Sequence, residues 1–488
     1  MDVIVSPEVR EIVNRYRDVW ALEYARSLLG WDMETYMPPK AFQERGDVNA
    51  LLETLKQRLI TNPEFMRLVD RAKPENDVEK GIIRVLKRDL KYYTRLPKEF
   101  LMEEEKAKAE AFQTWRKARE KSDFQMYAPV LGRIVELQRK KAELLGYEDH
   151  PYDALLDLYE ENLTVKKCDE IFSEVDRISD MFKKTCEKHP GTHPLENEKY
   201  EKAFLERLIQ HVVGRLGYDF NRGRIDVSPH PFTINMGLDD VRITVRYEGK
   251  DFRRALLAAV HEFGHATYEM NISRELQATP VQRGVSLGIH ESQSRFWENI
   301  VGRSRWFVEK FYGEMCMALP FLSNYDVEDV YRYFTLVRPE LIRVEADELQ
   351  YVLHVYLRYK IEKDLIEEKL EVKELPQVWN DLMESLVGIK PPNDRLGVLQ
   401  DIHWSHAAVG YFPTYAIGSM VAAQIYKLTD NVARMVEKAD FRGLMEILSS
   451  KIHRWGAVYP PEEIVKKATG EEIKPEYFVS YLDEKYMK

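Results

Sequence analysis

The sequence predicts a mostly α-helical protein with one small β-sheet near its centre. Three observations support this prediction. Apolar residues recur at helical spacing through most of the 488 residues, and a single segment alternates strictly between apolar and polar residues. Neither an internal repeat nor a low-complexity linker divides the chain. We therefore expect one domain over 1–488, a large multi-helix body with two lobes around a deep cleft.

Region 1–215 is predicted to be helical, with hardly any strand pattern. Val9, Ile12, Tyr16 and Val19 mark one face of the first helix. The prolines at 38–39 end the segment that follows it. The helices predicted in this region span about 7–29, 43–60, 76–92, 97–120, 126–144, 164–187 and 197–216.

Region 216–250 has a different composition, since glycines and prolines interrupt the helical pattern. Within it, 240–247 alternates, with Val241, Ile243 and Val245 facing one way and polar residues facing the other. This pattern predicts a small sheet. Region 251–488 returns to helices, predicted at about 251–271, 287–302, 304–317, 326–334, 343–369, 374–387, 414–428, 430–437, 441–453 and 461–468.

Composition excludes several classes of protein. A net charge of −10 and a pI near 5.8 do not indicate the basic surface that binds nucleic acid. The uncharged stretch 402–426 contains two histidines and Pro413, so we expect it to be buried in protein and not in a membrane. Three widely spaced cysteines without a CxxC motif, and no signal peptide, indicate a reducing cytoplasmic location. High charge density with few cysteines is also typical of thermophiles.

The stretch 256–270 contains an HExxH motif, His261-Glu262-Phe263-Gly264-His265. Residues four apart on an α-helix lie on the same face, so both imidazoles can reach one metal ion. Glu262 is then placed to act as general base on a water molecule at that ion. The alternative is a pair of histidines on an ordinary buried helix, held by an apolar stripe. That stripe consists of Leu256, Val260, Phe263 and Met270.

A catalytic zinc site usually has a third protein ligand. Position 271 is Asn, which excludes the metzincin spacing. Glu269 shares the histidine face but lies roughly 12 Å along the helix from His261, too far to meet the same ion. Glu275 remains open. The favoured candidate is Glu291 on the next predicted helix, with His290 as a rival and a surface pair with Arg295 as the alternative role.

Several further motifs are similar to those of one known family. They are Asp240-Val241-Arg242-Ile243-Thr244 (DxRxT), His290-Glu291-Ser292-Gln293 (HES/GQ), Ile342-Arg343-Val344-Glu345-Ala346-Asp347 (IRxxAD) and Gly397-Val398-Leu399-Gln400-Asp401-Ile402-His403-Trp404 (GxxQDxHW). Together with the HExxH helix, Trp31-Asp32 and Met37-Pro38, they span nearly the whole chain in family order. The chain therefore resembles the carboxypeptidase Taq family.

The resemblance implies a mostly helical homodimer with a deep active-site cleft. It implies the release of single residues from the free C-termini of peptides, with broad side-chain tolerance. It also implies His261, His265 and Glu291 as metal ligands, with Glu262 as base. The ion would be Zn²⁺ or Co²⁺, since imidazole and carboxylate suit both.

An exopeptidase of this kind must recognise a free α-carboxylate, which a forked guanidinium binds best. Arg343 is the first candidate, because it would begin a polar stripe on the predicted helix 343–369. That stripe would comprise Arg343, Asp347, Gln350, Tyr351 and His354. Arg242, in one motif with Asp240, is the second candidate. The alternatives are an exposed pair of Arg343 with Asp347 and a solvated sheet face at Arg242.

A tetrahedral intermediate needs a hydrogen-bond donor opposite the metal. Tyr411 and Tyr415 are candidates, because a phenol donates while neutral. His403 and His230 are candidates for contacts with the substrate. In a segment this poor in charge, each of these side chains can instead belong to the core.

Two other functions are compatible with the motif. A helical metallo-oligoendopeptidase also carries HEFGH but cuts within peptides, so it still cleaves an amidated substrate. A helical peptide-binding scaffold that has lost catalysis belongs to a different class. The intact base at Glu262 argues against the scaffold.

Overall fold

The computed structural model describes residues 3–188 and 191–487. These residues are mostly helical, with one three-stranded sheet between the tenth and eleventh helices, as predicted. None of the described helices is long and apolar enough to cross a membrane. The α-helices are α1 Pro7–Thr35, α2 Phe42–Ile60, α3 Pro63–Arg71, α4 Asp77–Arg95, α5 Lys98–Lys121, α6 Phe124–Leu145, α7 Pro151–Leu156, α8 Val165–Ile171, α9 Val175–Lys188, α10 Lys202–Leu216, α11 Phe252–Met270, α12 Leu287–Arg295, α13 Arg305–Ala318, α14 Val327–Phe334, α15 Glu348–Ile366, α16 Leu375–Val387, α17 Pro413–Leu428, α18 Val432–Glu437, α19 Phe441–Lys451, α20 Pro461–Thr469 and α21 Pro475–Leu482. The strands are β1 Ile225–Val227, β2 Thr233–Gly237 and β3 Asp240–Val245.

The differences from the sequence prediction are local. Helices α3, α7 and α21 lie where no helix is predicted, because segments of 9, 6 and 8 residues give little periodic signal. The predicted helix 164–187 is two helices, α8 and α9, and α1 continues past its predicted end to Thr35. The second half of predicted helix 287–302 is a π-helical segment, Phe296–Gly302. The sheet lies inside region 216–250, where one is predicted.

The predicted helix 343–369 begins too early. Arg343–Glu345 forms a separate 3₁₀ turn, and α15 starts at Glu348. The reason is Asp347, whose Oδ1 accepts hydrogen bonds from the backbone N–H groups of Leu349 and Gln350, each at 3.0 Å. An aspartate in this role ends the preceding chain conformation and begins a helix. The polar stripe predicted to run from Arg343 along one helix is therefore wrong.

The sheet leaves one edge of β2 free. Its order is β1-β3-β2, with β2 antiparallel to β3. The N–H of Thr244 donates to the carbonyl of Phe232 at 2.9 Å, whereas the N–H of Ile243 points the other way and donates to Arg224 at 3.0 Å. Because hydrogen-bonded and non-bonded pairs alternate, the backbone groups of Thr233 and Asn235 point away from β3. They form an edge that can accept another extended chain.

Helix α11 crosses the centre of the protein between the sheet and α12. The predicted apolar stripe is buried, with Leu256, Val260 and Phe263 at 0% exposure and Met270 at 4%. The remaining faces are also mostly buried, so the helix is held on several sides and not only along one stripe. This placement gives the HExxH motif a rigid support.

Two glycines allow helices to approach α12 at backbone distance. A Cβ atom on Gly264 of α11 would lie 2.5 Å from the carbonyl oxygen of Gln293 and from Cα of Ser294. A Cβ atom on Gly418 of α17 would lie 2.5 Å from Cγ of Glu291. Since real Cβ atoms do not come this close, only glycine fits at either contact. These contacts fix how far Glu291 is from the histidines of α11.

We expect Gly264→Ala to lower stability and to separate α11 from α12. Overpacking of a filled interior costs about 1–3 kcal/mol, which outweighs the gain of about 1 kcal/mol in helix propensity. Thermal unfolding followed by circular dichroism measures the change. The matched control is Gly132→Ala in α6, where nothing lies within 4 Å of the new Cβ. The control should be neutral or stabilising, and equal effects in both variants would contradict the packing argument.

Candidate metal centre

The two histidines of the HExxH motif and Glu291 converge on one point. His261 and His265 lie on α11, and Glu291 reaches them from α12. Glu291 Oε2 is 3.7 Å from His261 Nε2 and 3.4 Å from His265 Nε2, and one ligand atom from each residue lies within 4.8 Å of the others. Ligands about 2.0–2.1 Å from a tetrahedral zinc ion are roughly 3.3–3.5 Å apart. The residues therefore fit a divalent ion with little adjustment.

A carboxylate holds the far side of His261 directly, and another holds His265 through a second histidine. His261 Nδ1 lies 2.9 Å from Glu298 Oε2. His265 Nδ1 lies 2.6 Å from Nδ1 of His290, whose Nε2 lies 2.8 Å from Glu269 Oε1. Since Glu298 and Glu269 are acceptors, Nδ1–H is the donor on both ligand histidines. Both Nε2 lone pairs then face Glu291, which is the tautomer that a metal ion requires.

These contacts show what His290 and Glu269, the other two candidate ligands on α12 and α11, do instead. His290 orients His265 and does not point at the shared position. Glu269, excluded by its distance along the helix, anchors His290 and also accepts from Asn235 Nδ2 at 2.5 Å. Glu275 lies in a 3₁₀ turn beyond α11 and is not part of the His261, His265 and Glu291 cluster.

Glu291 carries a firm negative charge. Its Oε1 accepts from Arg295 Nε at 2.7 Å, so the pair predicted as an alternative role exists, but it is buried next to the histidines. Burial opposes ionisation, yet Arg295 and His261 hold the pKa of Glu291 well below its ordinary value. The plane of Arg295 also stacks on Tyr351 at 4.1 Å. An ionised, immobilised carboxylate is the form that binds a cation.

The two histidines differ in their protonation. Burial lowers the pKa of His265 to about 4, so its imidazole is neutral near pH 7. Burial acts the same way on His261, but Glu291 and Glu298 outweigh it and raise the pKa of that residue above its ordinary value. A metal ion therefore competes with a proton at His261, and its affinity falls as the pH falls.

Glu262 lies one residue from His261 and faces the same cavity. It is 7% exposed, and its Oε2 accepts from the Thr233 hydroxyl at 2.6 Å. Burial is the largest influence on this carboxyl group and raises its pKa. A carboxylate with raised proton affinity beside a metal position is suited to accept and return a proton.

The predicted tyrosines and His403 form an aromatic cluster. The ring centroids of Tyr411 and Tyr415 are 5.2 Å apart, and His403 lies 5.3 Å from Tyr411. Burial is the main cause that raises the pKa of both phenols, and the charge of Glu291 contributes. Tyr415 lies one helical turn before Gly418, the residue of α17 that packs on Glu291. Burial lowers the pKa of His403 to about 4. All three groups are therefore neutral near pH 7.

Arg343 does not present a free guanidinium. It is 5% exposed, its Nη1 donates to Tyr351 at 2.7 Å, and its Nε and Nη2 donate to Asp401 at 3.2 and 3.1 Å. Arg358 binds the same aspartate. The guanidinium also lies 4.9 Å from the ring of Tyr415. Arg343 therefore packs against Tyr351 and Tyr415 and holds their rings in place.

Arg242 is engaged in the same way on the sheet. Its Nε and Nη2 donate to the two oxygens of Asp240 at 2.7 and 2.8 Å, and its plane lies 4.3 Å from the ring of Trp31. Ile234, its partner on β2, faces Gly30 of α1, where an added Cβ atom would lie 3.9 Å from Cδ1 of Ile234. The Asp240–Arg242 pair thus joins the sheet to α1, on the face opposite Thr233.

A cavity of about 480 Å³ opens beside His261 and Glu262. Its wall includes His230 and two arginines that are not predicted, Arg246 and Arg254. Their side chains are 51% and 39% exposed. Both approach the carboxylate of Glu248, at 3.1 and 4.0 Å. They are the most accessible guanidinium groups next to the motif.

Sequence reasoning misses four features of the centre: Glu298, the orienting role of His290, Thr233 and the two cavity arginines. Glu298 follows Glu291 by seven residues, a helical spacing that could have indicated it. Arg254 precedes His261 by seven and shares its face in the same way. The contact of Thr233 with Glu262 depends on β2, a strand without a distinct sequence pattern.

Two imidazoles and a carboxylate beside a second, buried carboxylate define a hydrolytic metal centre on a helical scaffold. The chain also matches the family model Carboxypeptidase Taq (M32) metallopeptidase over residues 11–486. It belongs to that family, and the resemblance inferred from the motifs is confirmed.

The relatives are similar over their whole length. Thermostable carboxypeptidase 1 of Pyrococcus furiosus is 46% identical, with 100% of both chains covered. Carboxypeptidase 1 of Bacillus subtilis is 35% identical, over 95% of this chain and 94% of that one. A solved structure of the Pyrococcus furiosus carboxypeptidase (Apo-Mg) superposes with a TM-score of 0.97 at 45% identity, covering 99% and 100% of the chains. An M32 carboxypeptidase from Deinococcus radiodurans R1 gives 0.94 at 30% identity, covering 98% of each.

These findings establish the protein as a metallocarboxypeptidase, a peptide hydrolase that requires a divalent metal. The sequence alone is also compatible with an oligoendopeptidase or an inactive scaffold. Both are disfavoured by full-length relatives named as carboxypeptidases.

We expect Glu298→Gln to weaken metal binding about 10- to 100-fold, because the amide no longer orients His261 with a negative charge. Competition with a chromogenic chelator measures the affinity for zinc. Glu309→Gln is the matched control, since Glu309 pairs with Arg305 on the surface of α13. Equal affinities in the two variants would show that Glu298 does not support the centre.

Proposed function

We propose that His261, His265 and Glu291 hold one divalent ion and that Glu262 is the general base for release of single C-terminal residues. The observation that carries this proposal is the convergence of three ligand atoms within 4.8 Å beside a buried carboxylate at the wall of a cavity. A bound ion would polarise the scissile carbonyl and lower the pKa of a water molecule. Zn²⁺ and Co²⁺ both suit these donors, and they are the proposed ions.

Glu262 moves the proton. Thr233 holds Oε2 in place, which leaves Oε1 for the attacking water. Glu262 accepts a proton from that water and then donates it to the nitrogen of the leaving amino acid. Its raised pKa supports both steps, because a stronger base accepts the proton more readily and still returns it to an amine.

Tyr411 and Tyr415 are the proposed donors to the oxyanion. Their phenols remain protonated near pH 7, so they can donate without adding a charge. Tyr415 lies one helical turn before Gly418, which packs on Glu291. Arg343 and Tyr351 pack behind Tyr415 and restrict its motion. His403, neutral and 5.3 Å from Tyr411, is the proposed contact for a substrate carbonyl.

The free edge of β2 is the proposed binding surface for the peptide backbone. Thr233 and Asn235 direct their backbone N–H and C=O groups away from β3, and the Thr233 side chain contacts Glu262. An extended peptide can add to such an edge by main-chain hydrogen bonds, which depend little on side chains. This supports broad sequence tolerance.

Arg246 and Arg254 are the proposed receptor for the terminal carboxylate. They replace Arg343 and Arg242, whose guanidinium groups are occupied by Asp401 and Asp240. Arg254 lies two helical turns before His261 on α11, a rise of roughly 10 Å, with Ala258 and the buried Leu257 on the face between them. The space over Ala258 can hold one residue and its carboxylate. Arg254 Nε donates to Asp251 at 3.0 Å and its Nη2 lies 3.5 Å from Glu345, which leaves Nη1, 4.0 Å from Glu248, for a substrate. Glu248, which also pairs with Arg246, would be displaced.

Location, thermal stability and oligomeric state are also proposed. We propose a cytoplasmic, thermostable homodimer that acts on peptides with a free C-terminus. Three unpaired cysteines and relatives named thermostable from Pyrococcus furiosus and Thermus thermophilus support this. The outer face of α2 is the proposed dimer contact, because its apolar side chains are exposed to solvent. They are Phe42, Val48, Leu51, Leu55 and Leu59.

We expect Glu262→Gln to bind metal and peptide but to lose turnover, since an amide cannot accept the proton. General base catalysis contributes about 10²- to 10⁴-fold, so kcat should fall by at least that factor while zinc affinity stays within twofold. Stopped assays with mass spectrometry and a chelator titration give the two values. Retained turnover would remove Glu262 from the mechanism.

We expect Arg246→Met with Arg254→Met to lower kcat/KM for a free-acid peptide about 10- to 100-fold, the value of one or two hydrogen bonds to a charge. Hydrolysis of the matching C-terminal amide, already slow, should not change. Arg305→Met is the control, because its side chain is 50% exposed and lies on α13. If the double variant still prefers the free acid, the receptor lies elsewhere.

A further inference from the structure

A second cavity, of about 440 Å³, lies at the other end of β2 from the arginines. Asn235 and Met236 of β2, and Glu269 at the end of α11, form one side of it. The other side is formed by α1 and α2, with Trp20 and Tyr24 as its large aromatic side chains. No step proposed above uses this cavity.

The two aromatic rings are held against the end of the strand. Their centroids are 5.7 Å apart. A Cβ atom on Gly237 would lie 3.4 Å from Tyr24 and 3.7 Å from Trp20, so both rings pack on the backbone where β2 ends. Both side chains are only partly buried. They therefore offer an apolar platform that is open to the cavity and continuous with the free edge.

The direction of the substrate follows from the proposed function, on which this inference rests. If the terminal carboxylate binds Arg246 and Arg254 in the wall of the first cavity, the upstream residues must extend along β2 toward Gly237. The peptide then runs antiparallel to β2, the orientation that gives the straighter hydrogen bonds.

Distance along the helix identifies which residue reaches the platform. The position shared by His261 and His265 is roughly 9 Å from Glu269, at 1.5 Å per residue. An extended chain advances about 3.3 Å per residue. The third residue upstream of the scissile bond (P3) is therefore the one beside the second cavity.

We propose that Trp20 and Tyr24 form a binding site for an aromatic side chain at P3 of the peptide substrate. Offset or edge-to-face contacts with two rings favour an aromatic over a small side chain. The charged side chains of the wall are paired: Glu23 lies 3.7 Å from Lys56, Arg26 pairs with Glu53, Arg283 with Asp89 and Glu269 with His290. Because these charges are paired, the wall does not favour a charged residue. The enzyme should accordingly favour peptides of four or more residues with an aromatic residue at P3.

Three peptides test this with the full-length, zinc-loaded enzyme. They are acetyl-Phe-Ala-Ala-Leu, acetyl-Ala-Ala-Ala-Leu and formyl-Ala-Leu, and release of leucine is measured for each. The expected result is a KM about tenfold lower for the Phe peptide than for the Ala peptide, with equal kcat. A wild-type enzyme that does not distinguish these two overturns the proposal.

Trp20→Ala should remove the preference for Phe at P3 and leave formyl-Ala-Leu hydrolysis unchanged, because that peptide does not reach the cavity. Trp306→Ala, at a ring 40% exposed on α13, is the control and should keep the preference. A Trp20→Ala enzyme that still prefers Phe overturns the proposal. Should this variant lose activity on formyl-Ala-Leu through misfolding, Trp20→Leu gives the same comparison.

Failure of the proposed function gives a different signature. Cleavage between other residues, or no release of leucine from any of the three peptides, would contradict the carboxypeptidase mechanism itself. Equal release from all three contradicts only the P3 site.

Discussion

The close backbone packing of α12 against α11 and α17 is the constraint on which the rest of the centre depends. Gly264 and Gly418 leave no room for a Cβ atom at either contact. Because both helices meet α12 at this distance, Glu291 arrives 3.4 Å from His265 without any distortion of α11. A wider separation would leave two histidines and a surface carboxylate that share no ion.

Charge is arranged around this contact so that the ligands are fixed before a metal binds. Glu298 holds His261 directly, and Glu269 holds His265 through His290. Glu298 in turn binds Arg303 at 2.9 Å and belongs to a π-helical segment, a form often found at functional sites. Lys485, near the end of the described chain, donates to the carbonyl of Asn299 in that segment at 2.9 Å. Distant parts of the sequence therefore support one imidazole.

The sequence identifies the centre better than its surroundings. The HExxH spacing gives both histidines and Glu262, because four residues make a helical turn and this geometry is local. Glu291 comes from a neighbouring helix and is favoured from its motif. The sequence does not reveal that Asp401 and Tyr351 bind Arg343, or that Trp31 covers Arg242, because these are tertiary contacts across the chain. Apolar and polar residues do not alternate clearly in the short strand β2. The roles of Thr233 and of the free edge therefore could not be predicted from the sequence.

The groove combines a specific end with a tolerant middle. In the proposed function, backbone groups of β2 bind peptides of any sequence, and the accessible arginines at one end recognise the carboxylate that marks a C-terminus. The central claim is that two imidazoles and one carboxylate share a single ion. Anomalous diffraction at the zinc edge from metal-loaded crystals tests this most directly. The account predicts one strong peak about 2.0–2.2 Å from His261 Nε2, His265 Nε2 and a Glu291 oxygen. A peak bound by His290 or Glu269, with Glu291 turned away, would contradict it.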